Sequence, residues 1–462
     1  MSEKGAGPSM PASLLDEPPL RALVRLAAPT TAVMSIAALQ QVLYTYFISH
    51  LGSIAIASVA LVFPIALILT TVVGGGIGSG VASAVARALG AGRPAEARKV
   101  AEHSFALTTA MSVVFTAGML LFERPIFTAM GAKGEVLDTA IAVSQILFGG
   151  LAIAFFIGTC DSIMRGTGNV RTPALCSTLS LVMQIILTPV LMFGVGLGIR
   201  GAPMATILGQ LIGSMPRLPH VFGRRAIIRA RLWPAELHGA TMSEILRVGV
   251  PASLGTLINY LGMMALTAVM ARFGTAELAA YGLCSRFDFV LLTICYGSGV
   301  AVLTLVGFAT GSGRAHLVSE YAGRAVALLV SVIAVPTVLF WIWPELWLGL
   351  FTDDPAIRDV GRHYFRTVGV AYPLMGVSMT LAFAFQGIGR ALMPLLIGVI
   401  RTVVLIGGAV LLTAVFHTGI TAVFVLITAT AAVSSTLLAV AFLRLRPRAE
   451  VSAYSPESVP AR

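Results

Sequence analysis

The chain is built of long apolar runs broken by short polar stretches. Twelve runs stand out, at residues 26–49, 54–78, 102–122, 138–162, 172–197, 201–222, 248–271, 278–304, 321–343, 361–385, 392–415 and 418–443. Each is 21 to 27 residues long, the length that carries a helix across a ~30 Å hydrocarbon core. Several contain Gly or Pro, which membrane helices tolerate when neighbours re-satisfy the backbone. The pattern predicts an all-α polytopic membrane protein with twelve transmembrane helices. Composition agrees: 57% of the 462 residues are hydrophobic and 11% charged, with mean hydropathy +0.91, whereas soluble domains carry about a quarter charged residues.

The polar stretches set the expected organisation. Residues 1–20 lack the basic start and adjoining apolar segment of a signal peptide and read as a disordered cytoplasmic tail. A first six-helix bundle is expected over 21–222, a basic cytoplasmic linker over 223–246, a second bundle over 247–445 and a cytoplasmic tail over 446–462. With the N-terminus inside, and residues at run ends counted with the adjoining loop, 22 Lys/Arg fall inside and 7 outside. That bias favours this orientation and accounts for the net charge of +11 without nucleic acid. The Arg-rich "GRRAIIRARLW" (223–233) reads as a cytoplasmic loop near anionic lipid.

The sequence also repeats itself. "RLAAP" (25–29) returns as "RVGVP" (247–251), "HLG" (50–52) as "RFG" (272–274), and "GSGVA" (78–82) letter for letter at 297–301. "GAGR" (90–93) returns as "GSGR" (311–314) and "RGTGNVRTP" (165–173) as "QGIGRALMP" (386–394). The second copies follow in the same order as the first and at a nearly constant offset. Six runs per repeat make both halves enter the membrane the same way up, a parallel repeat with a binding cavity expected near the midplane.

Ionisable groups inside membrane runs are functional candidates, because a charge at mid-membrane costs at least ~2.5–3.5 kcal/mol. Asp288 and Asp161 are the candidates for coupling to a cation. The structural alternatives are an ion pair of Asp288 with Arg401, and of Asp161 with Arg165 one helical turn on. Gln40, Gln41, Tyr44, Gln184, Thr188, Thr206, Gln210, Asn259 and Arg401 are the candidates for lining a substrate cavity. Gln184 with Thr188, and Thr206 with Gln210, are four apart and share a helix face. For the glutamines, interhelical hydrogen bonds are the alternative. Cys160, Cys176, Cys284 and Cys295 read as packing thiols, and the seven His lack metal-ligand spacing. There is no G-x-x-x-x-G-K-[ST] phosphate loop, and "GGGIGSG" (74–80) fits close helix packing. No metal, organic cofactor, nucleic acid or catalytic cluster is expected, and a monomer suffices.

The stretches "LVFPIALILTTVVGGGIGSGVASAVARALGAG", "IMRGTGNVRTP", "FGVGLGIRGAPMATILGQ" and "FQGIGRALMP" resemble the multidrug and toxic compound extrusion (MATE) transporters over residues 20–445. The resemblance implies two pseudo-symmetric six-helix bundles in a V-shaped arrangement. It implies a secondary antiporter, not an enzyme, in the bacterial inner membrane with both termini cytoplasmic. Such a protein exports small organic cations or drugs in exchange for H⁺ or Na⁺. An acid at the place of Asp288 is common in the family, and Asn is frequent at the place of Asp161. The chain also departs from it. Tyr44, Thr188, Asn259 and Met375 stand where members of one branch or another carry acids. A lipid or lipid-linked saccharide flippase of the wider superfamily is the alternative.

Overall fold

The computed structural model describes residues 15–223, 226–416 and 418–445. The rest of both expected tails and Arg224–Arg225 of the linker lie outside the described residues. Among the described residues there is helix and no strand. The first helices are α1 (Pro19–Ser49), α2 (Ser53–Thr71), a π-turn over Val72–Ile77, α3 (Gly78–Gly90) and α4 (Pro94–Ala129). Then come α5 (Gly134–Gly149), α6 (Leu151–Gly166), α7 (Arg171–Pro189), α8 (Gly201–Ser214) and α9 (Gly239–Met270). The chain continues with α10 (Thr275–Gly311), α11 (Ala315–Ile342), α12 (Pro355–Thr367), α13 (Tyr372–Ile388), α14 (Leu392–Ala414) and α15 (Ile420–Arg444).

The twelve expected spans are resolved unevenly. Among the described residues, ten helices or helix runs are long and apolar enough to cross a membrane. The pair α5 and α6 makes an eleventh, bent by 41° where Gly149 and Gly150 meet. The sixth expected span, 201–222, is not among these, although the chain is helical from Gly201 to Val221. Its helix α8 has 14 residues, about 21 Å at 1.5 Å per residue. Pro216 and Pro219 follow, and the chain continues as a 3₁₀ turn and a short helical turn. Several other helices outrun their apolar stretch. The longest, α10, has 37 residues and extends past both ends of the expected 278–304, because leaving the hydrocarbon does not by itself break a helix.

The duplication is visible in the backbone. The helices starting at Pro94, Gly134, Leu151 and Arg171 have counterparts starting at Ala315, Pro355, Tyr372 and Leu392. The shift from each start to its counterpart is the same in all four pairs. Gly168 and Gly389, related by that shift, both cap a helix with positive φ (81° and 87°), a conformation that only Gly adopts freely. A Cβ on Gly166 would stand 2.8 Å from the Ala82 oxygen and from Val85 Cβ; one on Gly387 would stand 2.8 Å from the Leu303 oxygen and 3.0 Å from Val306 Cβ. These are the same contacts under the same shift. In this register Gly78 pairs with Gly299, so the letter-for-letter "GSGVA" match, which pairs it with Gly297, is out of structural register.

The described residues pack as two units. One contains residues 15–24, 86–93 and 258–445, the other 25–85 and 94–257. Within the first, the ends of α3 and α10 cross reciprocally. A Cβ on Gly90 would overlap the Phe308 carbonyl oxygen, and one on Gly311 would overlap the Arg87 carbonyl oxygen. The Arg87 side chain reaches the Gly387 carbonyl, Nη1 to O 3.3 Å. This unit's core is aromatic, centred on Phe287, Tyr364, Phe365, Tyr372 and Phe424. In the second unit Phe127, Phe148 and Phe155 anchor the core. The glycine-rich stretch there is a packing strip: a Cβ on Gly76 would overlap Ser253, whose Oγ donates to the Val72 carbonyl at 2.9 Å.

Gly90→Ala and Gly311→Ala are each expected to destabilise the purified protein by at least ~1–3 kcal/mol, the usual overpacking cost, read as a fall in Tm. Gly118→Ala and Gly323→Ala, where an added Cβ meets open space, should leave Tm unchanged or raised, since Ala favours helix by up to ~1 kcal/mol.

Candidate functional site

Asp288 lies well inside α10, about 20 Å along it from Thr275. Its carboxylate is held by two phenols. The Tyr364 hydroxyl donates to Oδ2 and the Tyr372 hydroxyl to Oδ1, both at 2.7 Å. Tyr364 lies near the end of the amphipathic helix α12 and Tyr372 opens α13, so two consecutive elements converge on α10. Around them Phe287 packs edge-on against Phe340, Trp347, Phe365 and Tyr372 at 4.9–5.7 Å. Tyr364 contacts Tyr281 and Phe424 at 6.1 and 5.1 Å. No cation faces Asp288 among the described residues. Arg286, two positions away, is exposed. The alternative pairing with Arg401 does not form.

Asp161 has a different environment. Its ion pair is with Arg217, Nε to Oδ1 2.7 Å and Nη2 to Oδ2 3.4 Å, and not with Arg165. Arg217 is 1% exposed. Its remaining donors reach the Ser177 hydroxyl at 2.9 Å and the Gly213 carbonyl. The pair ties α6 to α7 and to the 3₁₀ turn after α8, and its charges cancel. The i+4 rule selected Arg165 because it sees only one helix; the partner comes from the 3₁₀ turn near the end of the sixth expected span.

The remaining candidates divide between the units. In the one holding residues 25–85 and 94–257, Tyr44 packs on Ile48, Ala55, Met192 and Ala202. Gln184 and Thr188 are buried, and the Thr188 hydroxyl donates to the Gln184 carbonyl at 2.6 Å. A Cβ on Gly209 would stand 2.6 Å from Gln184 Cγ. Gln184 therefore sits against the turn of α8 that carries Thr206 and Gln210. The Thr206 hydroxyl is spent on its own helix, at the Ala202 carbonyl. Gln40, Gln41, Gln184 and Gln210 make no side-chain hydrogen bond among the described residues, so the expected interhelical bonds are absent there. In the other unit Asn259 is exposed. Arg401 shares a face of α14 with the buried Leu405 and Ala409, and its Nε is buried with no hydrogen-bond partner.

Sequence reasoning missed the two tyrosines. Their counterparts in the first repeat are Val143 and Leu151, both buried and apolar; the position equivalent to Asp288 there is Leu67 or its neighbour Ala66. Polar residues in one repeat at places the other keeps apolar were the available signal. Glu123 was also missed. It is buried near the end of α4 and accepts from Ser144 Oγ at 2.6 Å and Gln145 Nε2 at 2.8 Å, tying α4 to α5.

Comparison with known proteins fits this arrangement. The MatE family profile matches residues 29–190 and again 251–411, one match for each repeat. The chain is 27% identical to the FAD transporter of Shewanella oneidensis over 405 residues, covering 85% of this chain and 87% of the relative. It is 24% identical to the multidrug export protein MepA of Staphylococcus aureus, covering 86% and 88%. Among solved structures, a MOP superfamily transporter from Pyrococcus furiosus superposes with TM-score 0.88 at 25% identity, covering 97% and 100%. The duplicated, all-helical chain of membrane-length spans belongs to the MatE family, the multidrug and toxic compound extrusion transporters.

Proposed function

We propose that the chain is a secondary antiporter that exports small organic cations or drugs across the bacterial inner membrane in exchange for H⁺ or Na⁺. Both termini are then cytoplasmic. The observation that carries this reading is Asp288, a carboxylate held only by neutral donors about 20 Å along a membrane-length helix. Charge there calls for compensation, and a passing cation supplies it. When the carboxylate is ionised both phenols donate to it. When H⁺ or Na⁺ neutralises it, those donors lose most of their hold. Occupancy of Asp288 is thus felt by α12 and α13 together. The aromatic faces around it suit an organic cation. Substrate and coupling ion compete for one negative charge, which is the requirement for exchange. Asp161, already neutralised by Arg217, is better placed as a fold-holding pair, and the glutamines and Tyr44 as polar anchors of the other unit.

A second reading has its own support. Arg401 is a guanidinium with an unsatisfied Nε on the buried face of α14, and one relative is a FAD transporter. A cargo bearing an anionic group, such as a flavin nucleotide, would answer that charge. A flippase of lipid-pyrophosphates would call for several such arginines, and Arg286 is exposed.

In a pump-deficient bacterium, Asp288→Asn should reduce ethidium efflux at least 10-fold at matched expression; equal efflux would remove Asp288 from coupling. Tyr364→Phe or Tyr372→Phe deletes a hydrogen bond to a charged group, ~1.5–3 kcal/mol. The carboxylate should then hold the coupling cation more tightly, lowering the H⁺ or Na⁺ concentration for half-maximal efflux about 10-fold or more. Asp161→Asn leaves Arg217 buried and unpaired at a cost of ~3–5 kcal/mol, so it should lower Tm and expression in proportion to any lost efflux. Arg401→Gln should abolish FAD uptake into everted vesicles and spare ethidium if the second reading holds.

A further inference from the structure

The segment between α8 and α9 is fastened along its length to the polar end of α4. Arg231 N–H donates to Glu102 Oε1 at 3.1 Å, an oxygen that Arg98 Nε also reaches at 2.8 Å. His238 N–H donates to His103 Nε2 at 2.9 Å, while His103 Nδ1–H is spent on the Lys99 carbonyl at 2.7 Å. The two imidazoles lie 5.7 Å apart. Glu102 and His103 are buried under the segment, and Ile228 and Ala230 are buried with them.

This fastening turns other side chains outward. Leu232 and Trp233 are each 58% exposed and Leu237 63%, with Ile227 beside them. Arg229 and Arg231 are exposed on the same stretch, and neither side chain has an acidic partner among the described residues. The level at which this happens follows from α4. Its 36 residues measure about 54 Å against a ~30 Å core, and its apolar run begins at residue 102. Glu102 and His103 therefore mark the edge of the hydrocarbon. A large exposed apolar group beside free guanidinium groups at that depth is what an interfacial anchor requires, with Trp at headgroup level and Arg drawn to anionic lipid.

We propose that residues 227–237 form a binding surface for anionic phospholipid, with Trp233 and its apolar neighbours entering the interfacial layer and Arg229 and Arg231 taking headgroup phosphates. The surface is independent of the cargo and the coupling ion. The test uses the full chain in nanodiscs carrying equal mole fractions of dibrominated phosphatidylglycerol or dibrominated phosphatidylcholine. The Trp233 signal is taken as wild type minus Trp233→Phe, because the chain has four Trp. Quenching of that signal is expected from both lipids and more strongly from phosphatidylglycerol. At about 1 kcal/mol per Arg the preference should fall about 5-fold for each of Arg229→Gln and Arg231→Gln, and should weaken with salt. Arg229→Lys with Arg231→Lys should keep it, which controls for folding. Absence of quenching, or equal quenching by the two lipids in wild type, overturns the proposal. Ethidium efflux measured alongside reports on the transport reading separately.

Discussion

A charge inside a membrane-length helix has to be answered within the protein, and that constraint sorts the ionisable side chains of this chain into roles. Arg217 and Asp161 answer one another and close a seam between helices. Glu123 is satisfied by a hydroxyl and an amide near the end of α4. Asp288 is met by two phenols, which stabilise a negative charge without cancelling it. Neutral donors leave a carboxylate able to exchange cations; an arginine does not. Depth separates Asp288 from Glu123: one lies about 20 Å along its helix, the other within about 9 Å of its helix end.

The duplication supplies the scaffold and its breaking supplies the chemistry. Glycine contacts recur at one constant shift, Gly166 against Ala82 and Val85, Gly387 against Leu303 and Val306. The reciprocal crossing of Gly90 and Gly311 follows the same register. Onto this shared frame the second repeat places Tyr364 and Tyr372 where the first keeps Val143 and Leu151. An apolar core in one repeat is thus a carboxylate site in the other, and the same packing that rigidifies the first holds two hydroxyls in place in the second.

Much of the fold was legible in the sequence, because apolar run length and near-identical glycine motifs are local signals. Most of the spans, the repeat and the packing role of "GGGIGSG" follow from them. What was not legible depends on long-range contacts. The i+4 rule offered Arg165 to Asp161, while the partner, Arg217, sits on a later element beyond α7 and α8. Tyr364 and Tyr372 are equally remote from Asp288 along the chain, and nothing in their immediate sequence marks them. The sixth expected span is helical from Gly201 to Val221, its last turns tightened into a 3₁₀ turn at Pro216.

The most direct measurement is a count of protons exchanged when ethidium binds the purified protein in sodium-free buffer, where H⁺ is the available coupling cation. If Asp288 is the exchange site, wild type should release about one proton per ethidium bound and Asp288→Asn should release none. Equal release from both proteins would contradict the account and move the exchange to another group.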